Sequence, residues 1–556
     1  MRYNHAELFA GVAAETPERD CLVFRNRRLT YREVADRVNR LANILLSHGI
    51  TARRPRAELR PWESGQDHVA LYLLNGNEYM EGMLGVASAR AAAVNVNYRY
   101  VEAELTYLLN DAAARAIIYH ARFAPTLAAV LDSLHQPPVL LLQVADESRN
   151  ALLPGALDYE SALATASGQA PKTEPEADDL YLLYTGGTTG MPKGTMWAQA
   201  DILEAAIAAF LPEGMFEAAS LAEGVALAAA SERHVVLPLP PLMHGSAQWI
   251  ALSGILTGDT LVFPDVVDRL DPESVWELID REGVQFMNLV GNSFATPLCD
   301  EYERGGHDGS SLQLVGVGGA VTSAAVKDRV LRLLPRVAIA DVAGSSETGS
   351  QLSNVSTSGA AATSGVFTAA TGTCVVDADR RRILKPGEPE TGWLARHGAI
   401  PFGYLGDREK TERTFPIIDG YRMALPGDRA RQLVDGTIEL LGRDSVTINS
   451  GGEKIFAEEV EDAMSSHPAI SDVIVVGRPS ERWGNEVVAV VQLAAGHDPT
   501  DKELLADAEQ RLARYKLPKA IVRVGTVLRG PAGKADYRWA TEIAAQGSPV
   551  QKELST

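Results

Sequence analysis

The residues best suited to chemistry lie in one short run, YLLYTGGTTGMPKG, from Tyr181 to Gly194. An apolar, buried-type strand leads straight into a loop of glycine and threonine that ends in lysine, a composition suited to holding phosphate. Gly186 and Gly187 let backbone N–H groups approach phosphate oxygens closely; Thr185, Thr188 and Thr189 add hydroxyl donors, and Lys193 supplies a mobile positive charge. The spacing departs from G-x-x-x-x-G-K-[ST], so this is not a Walker loop. A Gly-rich turn with an incidental lysine is the bland alternative, and the density of small and hydroxyl positions argues against it.

A phosphate loop needs a rigid layer behind it, and the surrounding sequence supplies one. Short apolar runs alternate with helical patterns over most of the first 440 residues: VALYLLN near residue 69, LYLLYTG from 180, HVVLPLP from 234, TLVFP from 260, QFMNLV from 285 and LQLVGVGG from 312. This alternation predicts α/β layers. After Gly442 the texture changes to a compact unit: a helix around EEVEDAMSSH, strands SDVIVVG and EVVAVVQL, a helix from Asp501 to Arg514 and a strand AIVRVGTVL. The expectation is an α/β protein with a large multi-layered domain over residues 1–441 and a small α+β lid over residues 442–556.

Composition bounds the function classes. The 556 residues are 46% hydrophobic and 22% charged, a balance that fills a large core and exceeds one compact domain. With 52 Lys and Arg against 72 Asp and Glu, the net charge of -20 disfavours nucleic acid as a partner. Cys21, Cys299 and Cys374 are too few and scattered for a disulfide framework or zinc cluster, which points to a reducing compartment. The start, MRYNHAELFAGVAAETPERD, lacks a signal-peptide pattern, and no charge-free stretch spans a bilayer, so a cytoplasmic protein without an integral membrane segment is expected. The Ala-rich stretch from Leu203 to Ala230 is interrupted by Pro212, Glu213, Glu217 and Glu223 and reads as soluble helix. The Arg- and Pro-rich TARRPRAELRPWESGQD, residues 51 to 67, reads as an exposed loop.

The phosphate loop, taken with motifs that follow it in order from Leu29-Thr30-Tyr31 to Lys534, resembles the adenylate-forming superfamily of acyl-CoA synthetases, luciferases and peptide-synthetase adenylation domains. GSSETG, Gly344 to Gly349, is similar to the family segment ending in Thr-Glu, with Ser346 where threonine usually stands. The resemblance implies that Glu347 is the magnesium-binding carboxylate, a hard oxygen ligand beside ATP phosphates. Asp341 matches an acceptor for the adenine amino group, and Gly318, Gly319 and Ala320 resemble the backbone strip beside the base. Ala343 stands where relatives carry a stacking aromatic residue. Asp428, after Pro426-Gly427, resembles the aspartate that accepts from both ribose hydroxyls.

GRDSVTINSGGEKIFAEEVE, Gly442 to Glu461, looks like the family junction between large and small domains. It implies a nucleotide contact at Arg443, a hinge at Ser445 and a CoA-tunnel segment GGEK containing Gly451, Gly452 and Lys454. VLRGPAGKADY places Lys534 at the family's catalytic lysine, which stabilises charge as acid attacks the α-phosphorus. The implied cofactors are ATP, magnesium and coenzyme A, and the implied partners are those small molecules and a carboxylic acid. The resemblance also implies rotation of the small domain between two half-reactions. Thiol attack on an acyl adenylate needs no Ser/His/Asp triad.

LPLPPLMHGSAQW, Leu237 to Trp249, resembles the stretch lining the route from acyl pocket to CoA tunnel, with His244 as gate and Gln248, Trp249 and Asn292 as pocket walls. Together with VNVNYRY, Val94 to Tyr100, it looks most like bacterial fatty-acyl and steroid side-chain CoA ligases of lipid degradation. Chain length is not readable, because each methylene contributes only about 1 to 3 kcal/mol to discrimination. Three alternatives stay open: an acyl-AMP ligase delivering to a carrier protein, a luciferase-like oxygenase, and a non-catalytic nucleotide-binding homologue. A homodimer is also left open.

Overall fold

The computed structural model describes residues 1–186, 191–208, 211–319, 322, 324–359, 366–443, 447–465, 467–528 and 536–546. Among these, three sheets carry the architecture. The first has eight strands, in the order 403–404, 192–198, 180–186, 92–95, 68–72, 114–120, 140–144 and 157–158. From residues 180–186 outward to 157–158 its strands run parallel, and the apolar runs around residues 69 and 180 lie in it, buried. Near-continuous apolar strands are what a parallel sheet covered on both faces requires.

The second sheet begins with 27–30 and 20–24, then runs through 260–263, 235–238, 286–289, 314–318 and 338–345. From 20–24 to 338–345 every pairing is parallel. At the turn after Ser345 the chain reverses into 349–356, and the remaining strands through 417–418 continue antiparallel. That antiparallel extension lies outside the sequence reading, because its strands mix polar, small and apolar residues with little run length.

The third sheet has five strands, ordered 453–456, 447–450, 484–493 and 470–480, with 520–524 parallel to 484–493. Successive side chains of a strand point to opposite faces. Val473 and Val475 accordingly pack with Val460 and Leu504 of the helices Ala457–Ser465 and Asp501–Glu509, while Ile474 and Val476 pack with Ala540 and Ala544 of Tyr537–Gln546. The changeover from second to third sheet falls between Arg443 and Thr447.

Two sequence expectations are adjusted. The helix expected over Asp501 to Arg514 is capped by a Thr500/Glu503 capping box but ends at Glu509. The chain there turns, so that Tyr515 and Lys516 reach the first sheet's side of the molecule. The strand expected over AIVRVGTVL stops at Val524. Among the described residues no helix is long and apolar enough to cross a membrane. The three cysteines are buried and unpaired, and burial pushes the thiols of Cys299 and Cys374 up to about 11, which suits packing rather than reactivity.

Candidate active site

In open α/β sheets ligands bind outside the carboxyl ends of parallel strands. The candidate residues sit at such ends. In the first sheet Thr185 and Gly186 close the strand 180–186, in register with Lys193 and Pro192 on the returning strand. In the second, His244 follows 235–238, Asn292 follows 286–289, Gly318 and Gly319 close 314–318, and Glu347 follows 338–345.

Asn95 ties the two edges together. Its amide donates to the carbonyls of Tyr184 at 2.8 Å and Met243 at 2.7 Å and accepts from the Tyr184 N–H at 2.7 Å. One side chain thus fixes the strand that enters the phosphate loop to the residue before His244. The asparagines that alternate with valine in VNVNYRY, Asn95 and Asn97, were the signal available in the sequence.

Glu347 sits in a tight turn built to hold it. Its N–H donates to Ser345 Oγ at 3.2 Å, and the carbonyl of Ser346 accepts from Trp197 Nε1 at 2.8 Å. The buried Arg396 guanidinium donates from one nitrogen to the carbonyls of Ala205, Thr348 and Ser350, pinning the turn from behind. Gly349 is obligatory: φ is +66°, and an added Cβ would lie 2.6 Å from the Ala205 carbonyl oxygen.

The turn 402–410 joins the loop lysine to this carboxylate. Phe402 and Leu405 donate backbone hydrogen bonds to Met196 and Gly194 of the strand leaving the phosphate loop. From that position Asp407 accepts from Lys193 Nζ at 2.5 Å, and the Tyr404 hydroxyl donates to Glu347 Oε1 at 2.6 Å. Burial works to raise the Asp407 carboxyl, but Lys193 and the Lys410 backbone N–H bring it below its ordinary value. Lys410 is drawn down to about 8 by desolvation, against the pull of Glu347. The loop 51–67, expected to be exposed, in fact braces this turn: Gly406 donates to the Trp62 carbonyl at 2.8 Å, and Arg56 stacks 4.6 Å over the Phe402 ring.

For the nucleoside, Asp341 lies beside the glycine strip, with Val317 opposite Asp341 and Gly318 opposite Val342. Its carboxylate accepts from the fully buried Lys327 ammonium at 3.0 Å, a partner the sequence did not disclose. Asp428 opens the strand 428–432 directly across from Arg443, after Gly427 with φ +107° and nothing within 4 Å of an added Cβ.

The third sheet closes over His244. Nε2 of His244 donates to Glu453 Oε1 at 3.1 Å, and Arg99 pairs with the same oxygen. Burial tends to raise the Glu453 carboxyl; His244, Arg99 and Lys516 together outweigh it and hold it at about 2. Gly452, φ +85°, presses against the second sheet so closely that a Cβ would lie 2.2 Å from Val290 Cγ1. Lys516 Nζ meets Glu104 Oε1 at 2.6 Å, both side chains all but fully buried, and Asn97 donates to the Tyr515 hydroxyl at 3.1 Å.

Of the expected pocket walls, Gln248 is turned into the packed interior. Its amide accepts from Tyr181 at 2.6 Å and donates to the Leu242 carbonyl at 2.7 Å and Tyr79 at 3.2 Å. The cavity it borders holds about 20 Å³, room for about one water. Trp249 packs, partly buried, against the same core. Gly187, Thr188, Thr189, Ala320, Ser445 and Lys534 lie outside the described residues, as do the side chains of Asn292, Arg443 and Lys454. Glu453, Asn95, Tyr404, Asp407 and Arg396 were not singled out in the sequence; only Glu453 and Asn95 lay within quoted motifs.

Among the described residues no three His, Cys, Asp or Glu side chains cluster to hold a metal. A cation at Glu347 would therefore take most of its oxygen ligands from phosphate and water, which fits magnesium better than a metal needing an all-protein cage.

A family model described as AMP-binding enzyme matches residues 9–403, and one described as AMP-binding enzyme C-terminal domain matches residues 459–534. The medium-chain acyl-CoA ligase Mig of Mycobacterium avium is 52% identical over 536 residues, covering 96% of this chain and 97% of the relative. The 3-oxocholest-4-en-26-oate--CoA ligase of Rhodococcus rhodochrous is 38% identical over 554 residues, covering 98% and 96%. In fold, the amide bond synthetase McbA from Marinactinospora thermotolerans superposes with a TM-score of 0.76 at 20% identity over 97% of this chain and 99% of that one. Matched along nearly its whole length by both kinds of comparison, the chain belongs to the AMP-binding enzyme family.

Proposed function

We propose that the chain is an ATP-dependent acyl-CoA synthetase. It joins a fatty or steroid-derived carboxylic acid to AMP with release of pyrophosphate, then passes the acyl group to coenzyme A with release of AMP. The observation that carries this reading is the turn 402–410, which holds the phosphate-loop lysine through Asp407 and the candidate metal carboxylate through Tyr404. The curated relatives, named as acyl-CoA ligases, support the same chemistry and the substrate class.

In the first half-reaction a carboxylate oxygen of the acid attacks the α-phosphorus. The new C–O–P linkage forms as the α–β phosphoanhydride bond breaks, its electron pair leaving on pyrophosphate. In this reading Thr185, Gly186, Gly187, Thr188, Thr189 and Lys193 hold the phosphates, Asp341 and the strip Gly318 to Ala320 border the adenine, and Ser346, beside Glu347, is a further nucleotide contact. Asp428 and Arg443 take the ribose and Lys534 stabilises the developing charge. Magnesium bound at Glu347 would neutralise charge on the phosphates.

In the second half-reaction the thiol attacks the acyl carbonyl and AMP leaves. Residues 442–556 act as the lid, swinging about Ser445 so that Lys534 is withdrawn and Gly451 to Lys454 face the acyl site. The contact between Glu453 and His244 supports assigning the pose seen here to this step. Glu453 draws the His244 ring toward the lid, as a gate between acyl pocket and thiol route would need. Trp249 and Asn292 are proposed as pocket walls, with Gln248 bracing them from behind. A cytoplasmic location agrees with the use of ATP and CoA and with unpaired buried cysteines.

The direct test is a panel of fatty, aromatic and steroidal acids supplied with ATP, magnesium and free CoA. Pyrophosphate, AMP and thioester should appear in equal amounts with medium- or long-chain fatty acids or a sterol-derived acid. Adenylate accumulating without thioester would favour delivery to a carrier protein instead, and no pyrophosphate with any acid would favour a non-catalytic role.

A second test concerns the metal. Because Tyr404 orients the Glu347 carboxylate, Tyr404→Phe should raise the magnesium concentration for half-maximal pyrophosphate release by about 10-fold. Thioester formation from supplied acyl adenylate should be unchanged. An unaltered magnesium requirement would remove Tyr404 from this role.

A further inference from the structure

Lys410 is anomalous. It lies in the helix Arg408–Thr414 and is only 7% exposed. Its ammonium sits 4.4 Å over the Tyr404 ring and makes no hydrogen bond or ion pair among the described residues. A buried ammonium offers three donors and normally finds acceptors for them, because an uncompensated buried charge is costly. The aromatic face offsets part of that cost but supplies no acceptor for the three N–H groups. The neighbours of Lys410 are already committed to one another: Asp407 accepts from Lys193 and from the Lys410 backbone N–H at 2.9 Å, and Glu347 accepts from Tyr404.

The lysine therefore lies against Tyr404, which donates to the carboxylate proposed for magnesium, and follows Asp407, which holds the loop lysine, while its own ammonium has no hydrogen-bond acceptor among the described residues. Resting on the function proposed above, we infer that Lys410 is a further polyphosphate-binding residue of the adenylation step. Its ammonium meets the terminal phosphates of ATP and, once the α–β bond has broken, the pyrophosphate that carries away the electron pair. A ligand bringing several negative oxygens would supply the acceptors that the folded chain withholds. The alternative is a purely structural lysine, stacked on Tyr404 to fill space.

The experiment is calorimetric titration of inorganic pyrophosphate into the full-length wild type, Lys410→Met and Lys410→Arg, each at limiting and at saturating magnesium. KM and kcat for ATP in pyrophosphate release are measured alongside. Lys410→Met should weaken pyrophosphate binding and raise KM for ATP by about 10-fold each, at both magnesium concentrations, and Lys410→Arg should recover most of the loss. Thioester formation from supplied acyl adenylate should be unchanged. Lys410→Gln, with matching thermal unfolding midpoints, replaces Lys410→Met should the latter fail to fold.

Unchanged pyrophosphate affinity in a folded variant would leave Lys410 a stacking partner only. Recovery at saturating magnesium would show action through Glu347 and equally overturn the inference. Direct binding keeps the two readings separable: a wild type that binds pyrophosphate through Lys410 yet releases none from ATP defeats the proposed reaction, not the site.

Discussion

Replacing Lys534 with alanine is expected to lower pyrophosphate release by about 10²- to 10³-fold while leaving thioester formation from supplied acyl adenylate near the wild-type rate. The size follows from removing a positive charge aimed at the place where negative charge develops in the transition state. The selectivity follows from the lid. In the pose seen here Gly452 packs on Val290 and Glu453 contacts His244, so the segment turned toward His244, the proposed gate, is that around Gly452 and Glu453. A lysine that serves only the opposite pose has no part in thiol attack. Rapid-quench measurement of each half-reaction separates the outcomes, and equal loss of both would falsify the assignment.

The mirror-image result is expected for Lys516→Met. The pair with Glu104 joins residues far apart in the chain, and its side chains are 4% and 2% exposed, a degree of burial that depends on the lid being docked. Removing one partner strands a buried carboxylate, which costs about 3–5 kcal/mol. If that cost falls on the docked pose alone, the equilibrium between the poses shifts against it by roughly 10²- to 5 × 10³-fold. Thioester formation from supplied adenylate should fall accordingly, while pyrophosphate release, which uses the other pose, should hold. Replacing both partners, Glu104→Met with Lys516→Met, should restore much of the rate, since an apolar pair of similar volume is often no worse than a buried ion pair. Slowing of both half-reactions by the single variant would mean that the bridge stabilises the fold in general rather than one arrangement of it.

Legibility in the sequence followed run length and locality. The strands 68–72, 180–186, 235–238, 260–263, 286–289 and 314–318 were readable because parallel strands covered on both faces must be apolar throughout. The hairpin of 338–345 and 349–356 was not, since its half-buried residues alternate among Asp, Ser, Ala and Gly without a clear period. The helix from Asp501 announced its start through Thr500 and Glu503 but not its end at Glu509, beyond which Lys516 pairs with the distant Glu104.

The site divided in the same way. Lys193 and Glu347 could be singled out because each lies in a contiguous motif of distinctive residue types. Tyr404, Asp407 and Arg396 act through partners between 46 and 214 residues away, and no local pattern marks them. Asp341 was expected to accept from adenine; the acceptance observed is from the buried Lys327, which reads in sequence as one more charge on an amphipathic helix.

The bond between Lys193 and Asp407 bears on how the enzyme lets go of what it makes. On the proposed reading an arriving nucleotide would not meet a bare cation but would have to outcompete a resident anion. A tail of three phosphoryl groups can win that contest, whereas the lone one left on AMP is poorly equipped to. If Lys193 holds the phosphates as proposed, Asp407 would reclaim the lysine after turnover and bias the crevice toward fresh ATP over spent nucleotide.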